Sequence, residues 1–189
     1  KELRVTLQNA KLLLKEWKIK KQKQNKYVPR VLASIQKDLS LKLIPKVIEA
    51  FDISHHSGEN TVASMVYFKD SKPVKKEYRR YNIKSVTGID DFLSIYEVVY
   101  RRYSRVINEK RKLPNLILID GGKGQLNSAI KALKDLKIKN IAMVGLAKRL
   151  EEIYLPNNPE PQSILKDSPS LLLLRRIRDE AHRFAITHH

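Results

Sequence analysis

Leu116-Ile117-Leu118-Ile119-Asp120-Gly121-Gly122-Lys123-Gly124-Gln125-Leu126 passes from a continuous apolar run, through an aspartate, into a glycine-rich turn. Four large apolar residues in a row, with no polar alternate, predict a strand buried on both faces of a helix-covered sheet. The period then changes. Leu126, Ile130, Leu133 and Leu136 recur at three and four, which predicts a helix starting at the turn. A second apolar run, Ile141 to Leu146, gives the next strand, so this region reads as strand–helix–strand. The turn lacks both the spacing and the Lys-Ser/Thr pair of a Walker loop, which argues against ATP binding. Its backbone N–H groups and Lys123 can still meet a phosphate at the helix N-terminus.

Outward toward the N-terminus, Phe92, Ile95, Tyr96, Val99, Tyr100, Tyr103, Val106 and Ile107 predict a long amphipathic helix, with Asp90 and Asp91 as cap candidates. Before it, 47–54, 61–68 and 75–84 read as three strands joined by short polar connections, an antiparallel meander. Toward the C-terminus, the Pro-rich 151–164 suits a small hairpin, and Ser168-Pro169 opens a last helix from Ser170 to about Thr187. Residues 1 to about 26 form a helix with a weak stripe (Leu3, Leu7, Ala10, Leu14, Trp17) that dissolves into a Lys-rich run. Pro29 opens a short helix over 31–39, and Pro45 marks the change to strands. The expectation is a helical extension, 1–44, and an α/β domain, 45–189, built on a mixed five-stranded sheet flanked by helices.

The chain has 189 residues, a net charge of +18 and no cysteine. It is long enough for one domain with a real core, and it cannot use disulfides, a cysteine zinc site or a thiol nucleophile. No apolar run approaches the ~20 residues of a membrane span, and the start is Lys-rich helix rather than a signal peptide. A cytoplasmic protein with a polyanionic partner is expected, nucleic acid first among them.

Three residues stand where chemistry would need them. Asp52 interrupts an apolar strand, where an unpaired carboxylate would cost several kcal/mol. Asp120 ends the most apolar strand, and ligands of open α/β sheets gather at such ends. His182 lies on the last helix, on the flank that also presents Arg175 and Arg178. Singly, each has a plainer reading: a core ion pair, a turn former, a surface histidine. Together, two carboxylates on neighbouring strands and a helix-borne third ligand describe a site for Mg²⁺, with Mn²⁺ as substitute. One or two such ions could activate water against a phosphodiester. The remaining histidines (55, 56, 188, 189) have no zinc spacing. Arg79-Arg80, Arg101-Arg102, Lys123 and Arg178 are candidate phosphate contacts or simply solvated charges, and Tyr78 and Tyr81 could stack on bases.

Several motifs occur in one order: Phe51-Asp52-Ile53-Ser54-His55, Tyr78-Arg79-Arg80-Tyr81-Asn82-Ile83, Asp90-Asp91-Phe92, Ile119-Asp120-Gly121-Gly122-Lys123-Gly124-Gln125 and Arg178-Asp179-Glu180-Ala181-His182-Arg183. In this the chain resembles the C-terminal endonuclease domain of the UvrC family, the nuclease subunit of bacterial nucleotide excision repair, from about Leu7 onward. The resemblance implies an RNase H-like fold, an Asp52–Asp120–His182 metal centre and a further catalytic acid at Asp91. It also implies Mg²⁺-dependent incision of damaged double-stranded DNA on the 5′ side of a lesion, leaving a 3′-hydroxyl, with UvrB as partner. Asn115 stands where the family usually has aspartate, in the lead into a strand. The family's other modules are absent, so an excised fragment or a reduced homologue is expected. The competing reading is a non-catalytic DNA-binding or interaction module of the same fold; a junction resolvase or Argonaute-type nuclease fits the motifs less well.

Overall fold

The computed structural model describes residues 2–26, 28–55, 61–84, 90–148 and 151–187. Its helices are α1 (Glu2–Lys26), α2 (Arg30–Asp38), α3 (Asp91–Asn108), α4 (Lys123–Asp135) and α5 (Pro169–Ile186). Its strands are β1 (Val47–His55), β2 (Thr61–Lys69), β3 (Lys72–Pro73), β4 (Arg79–Asn82), β5 (Leu116–Asp120), β6 (Ala142–Leu146) and β7 (Ile153–Tyr154). They form one mixed sheet in the order β3–β2–β1–β5–β6–β7, with β4 on the same edge of β2 as β3. β1, β5 and β6 run parallel, while β2 and β7 are antiparallel to their neighbours.

Strand alternation decides which residues face which helices. Ile48 and Ala50 of β1 and Leu116 and Leu118 of β5 enter a core with Leu32 and Ile35 of α2 and Leu171, Leu174 and Ile177 of α5. Phe51 of β1 and Ile117 and Ile119 of β5 enter the opposite core, with Ile95, Val99 and Tyr103 of α3 and Leu126, Ala129 and Leu133 of α4. This is why β5 reads as an unbroken apolar run. The same alternation puts Asp52 and Asp120 on the α5 side. Asn115 anchors the parallel pair at its start, its side-chain Oδ1 accepting from the Val47 N–H at 2.9 Å.

The third expected strand, 75–84, is shorter than its pattern suggested. Lys75–Glu77 forms a 3₁₀ turn and only Arg79–Asn82 pairs with β2. The turn lets Tyr78 point into the core, where it is buried and donates to Glu180 Oε1 at 3.1 Å. Two left-handed residues, Asp70 and Ser71, make the hairpin to β3. In the expected 1–44 extension, α2 is core rather than appendage, since Leu32 and Ile35 are fully buried; among the described residues, α1 adds nothing to either core.

Candidate metal centre

Parallel pairing sets Phe51 opposite Ile119, which brings the next residues, Asp52 and Asp120, to the same end of the sheet on the same face. α5 crosses that face. It is pinned by Ser64 Oγ, which donates to the Ala181 carbonyl at 2.8 Å, and Ser64 is itself the β2 partner of Asp52. The residue after Ala181 is His182, so the pin delivers an imidazole onto the carboxylates. His182 Nδ1 lies 3.1 Å from Asp52 Oδ2, which also accepts from Ser54 Oγ at 3.1 Å. One ligand atom from each of Asp52, Asp120 and His182 lies within 4.8 Å of the others.

Both carboxylates are buried, with side chains 3% and 5% exposed. Burial and the neighbouring Asp52 push the Asp120 carboxyl up to about 7. A buried pair of this kind needs a cation. Lys148, just beyond β6, supplies one: its Nζ is 3.1 Å from Asp120 Oδ2 and 4.0 Å from Asp52 Oδ1. The supply is incomplete, because Asp120 Oδ2 is buried without an aligned hydrogen-bond donor. Convergent oxygens, one of them unsatisfied, together with an imidazole nitrogen fit a divalent metal ion.

Asp52, Asp91, Asp120, Gly121, Gln125 and Lys148 line a cleft of about 220 Å³. Asp90, not Asp91, caps α3, its Oδ1 accepting from the N–H groups of Phe92 and Leu93 at 2.9 and 3.0 Å. Asp91 is thereby left to face the cleft, where its Oδ1 is 2.7 Å from His55 Nε2, and His55 Nδ1 is 3.0 Å from Thr61 Oγ1. His55 falls on the α3 side of β1 by the same alternation that sends Asp52 the other way. His56, His188 and His189 lie outside the described residues.

The basic candidates fare unequally. Arg102 is a correction: it is buried at 3% exposure, gripping Glu49 at 2.6 and 3.2 Å beside the Tyr103 hydroxyl, and cannot reach a phosphate. Burial likewise removes Tyr78 as a stacking platform. Arg80 donates to the Phe184 carbonyl and lies over that ring at 4.7 Å, tying β4 to the end of α5. Arg178 is buried against Asp179 at 2.8 Å. Arg79 donates to the carbonyls of Lys76 and Tyr78, and Arg101 to the Asn82 carbonyl and Glu97 over the Tyr81 ring. Lys123 is exposed, its Nζ donating to the Pro159 carbonyl at 3.2 Å. In the glycine turn, the Gly122 N–H is already taken by Gln125 Oε1 at 3.0 Å. Sequence reasoning missed Lys148, although its place just beyond a parallel strand adjoining Asp120 is the kind of position that singled out Asp120.

A mixed sheet with two carboxylates at adjacent parallel strand ends and a histidine from the covering helix defines a domain of the RNase H-like class. A profile described as the UvrC RNAse H endonuclease domain matches residues 36–186. The chain belongs to the UvrC RNase H endonuclease domain family. UvrABC system protein C of Flavobacterium psychrophilum is 47% identical over 194 residues, covering 99% of this chain and 32% of that protein. The Methanosarcina barkeri protein of the same name is 55% identical over 157 residues, covering 83% and 30%. The chain thus spans about a third of the length of these relatives. Among solved structures, endonuclease V from Streptomyces avermitilis aligns with a TM-score of 0.47 at 12% identity, covering 82% of this chain and 88% of that one.

Proposed function

We propose that this domain is the metal-dependent DNA endonuclease of a nucleotide excision repair complex, hydrolysing a phosphodiester on the 5′ side of a lesion. The observation that carries it is the convergence of Asp52, Asp120 and His182 at one strand end, beside a cleft that Asp91 also lines. Asp52, Asp120 and His182 would hold Mg²⁺, or Mn²⁺ in its place, which supplies an activated water and charge neutralisation at the phosphate. Asp91, oriented by His55, faces the same cleft and would accept a proton from the attacking water at Oδ2, the oxygen not engaged by His55. Lys123, Arg79 and Arg101, on the surface, would hold the DNA backbone, consistent with a net charge of +18. Damaged double-stranded DNA is the substrate and UvrB the partner; both extend from the family and from the relatives' name. No helix among the described residues is long and apolar enough to cross a membrane, and a cytoplasmic site of action follows from the substrate.

The test is Asp120→Asn in the full-length protein, assembled with its partners on a lesion-bearing duplex. Incision should vanish while DNA affinity holds or rises, because a ligand and some phosphate repulsion are both removed. An incising Asp120→Asn protein would sink the assignment.

A further inference from the structure

Lys148 has a geometry that a surface lysine does not need. Its Nζ lies 3.1 Å from Asp120 Oδ2, 3.4 Å from His182 Nδ1 and 4.0 Å from Asp52 Oδ1. These are the three members of the candidate ligand set, so the ammonium stands where a metal ion would stand. We propose that Lys148 is the centre's resident counter-cation: a divalent ion enters only by displacing it, and the displaced ammonium passes to a DNA phosphate. Metal loading and DNA binding then reinforce each other through one side chain. The inference rests on the metal-dependent nuclease reading above.

Three observations support the exchange. The site cannot keep both cations, since an ammonium and a divalent ion a few ångströms apart in a buried setting repel strongly. The lysine can leave and the carboxylates cannot: its side chain is 54% exposed, theirs 3% and 5%. His182 Nδ1 is shared in the present arrangement. It can donate to Asp52, whose Oδ2 already accepts from Ser54, or accept from the ammonium, but not both. A divalent ion held by these three residues would remove the conflict, drawing on the nitrogen lone pair and one oxygen of each carboxylate.

Once displaced, the ammonium loses its anionic neighbours, Asp52 and Asp120, to the metal. A substrate phosphate entering the cleft is the anion that replaces them. By reciprocity, DNA must then tighten metal binding by the same factor that metal tightens DNA binding.

Mn²⁺ binding is measured by electron paramagnetic resonance of the free ion, for the 189-residue wild type, Lys148→Met, Lys148→Gln and Asp120→Asn. Each is titrated alone and with a short undamaged duplex whose integrity is checked on a gel. Both Lys148 variants should bind Mn²⁺ roughly fivefold or more tightly than wild type without DNA. Duplex should tighten Mn²⁺ binding by wild type and leave both variants unchanged. Equal or weaker Mn²⁺ binding by both variants, or an equal duplex effect in all, overturns the exchange. If wild type binds no Mn²⁺ that Asp120→Asn removes, the nuclease reading falls with it; if Asp120→Asn loses Mn²⁺ but the Lys148 variants gain nothing, the exchange alone falls.

Discussion

Asp120 gives the metal-free domain a pH dependence of known sign. Its carboxyl rises from an ordinary 3.8 to about 7 through burial and its neighbour Asp52. The folded state therefore holds this proton more tightly than the unfolded chain does. Its contribution to stability is complete below about pH 4 and is lost as pH climbs through about 7. At about 1.4 kcal/mol per unit, the loss is on the order of 4 kcal/mol. Thermal melts in chelator should show this decline, and Asp120→Asn should flatten it; a variant with the wild-type slope would assign the slope to other groups. His182 is tested by activity. His182→Ala should lose roughly 10²-fold in incision, as for a ligand or acid–base group. His182→Asp should keep more than Ala does, because an oxygen ligand suits Mg²⁺. Wild-type rates from His182→Ala with either metal would return this residue to the surface.

Two contacts between elements set the rigidity on which the site depends. Glu49 of β1 is buried between Arg102 and Tyr103 of α3, locking the helix to the sheet on the face opposite the candidate metal centre. Arg102→Met alone strands a buried carboxylate and should cost about 3–5 kcal/mol in urea unfolding. Glu49→Leu combined with Arg102→Met should recover most of that loss, since the pair is replaced by apolar volume. A double variant as unstable as the single would mean that the pair itself, not the stranded charge, provides the stability. The second contact is Gly145 of β6, opposite Ile119, where an added Cβ would stand 2.9 Å from the Gly121 carbonyl oxygen. Backbone cannot yield as a side-chain tip can. Gly145→Ala should push away the turn after Asp120, costing about 1–3 kcal/mol and weakening Mn²⁺ binding. Unaltered Mn²⁺ affinity would show that the turn can shift without moving the ligand.

For the whole molecule, the charge of +18 predicts sequence-tolerant DNA binding that falls on the order of 10²-fold between about 50 and 200 mM salt. A flat salt response would take the basic surface out of the DNA path. The domain covers about a third of the relatives' length. Positioning a scissile phosphate to within about an ångström is demanding. The isolated domain should therefore bind metal normally but incise poorly, and correctly placed incision at full rate by these 189 residues would contradict that.

Much of the architecture was written in local patterns. The run Leu116–Ile119 required a strand covered on both faces, the three-and-four periods required α3 and α4, and Ser168-Pro169 marked the start of α5, where Ser168 Oγ accepts from the Leu171 N–H at 3.1 Å. Asp52 and Asp120 were legible because a carboxylate beside apolar strand residues needs a reason, and the ordered motifs carried the family. Other features depend on residues far apart in the chain. Arg101 and Arg102 look alike in sequence, yet one helical step separates a surface guanidinium from one sealed against Glu49, 53 residues away. Asp90 and Asp91 were equal cap candidates until the approach of His55 gave the second another partner. Lys148 carried no motif, and only the register of β6 beside Asp120 brings its ammonium onto the ligand set. Periodicity and composition act along the chain, so the sequence can declare strands, helices and isolated polar residues in apolar settings. Which charges meet is decided by sheet order, strand register and helix crossing, and those form only when the cores on both faces pack together.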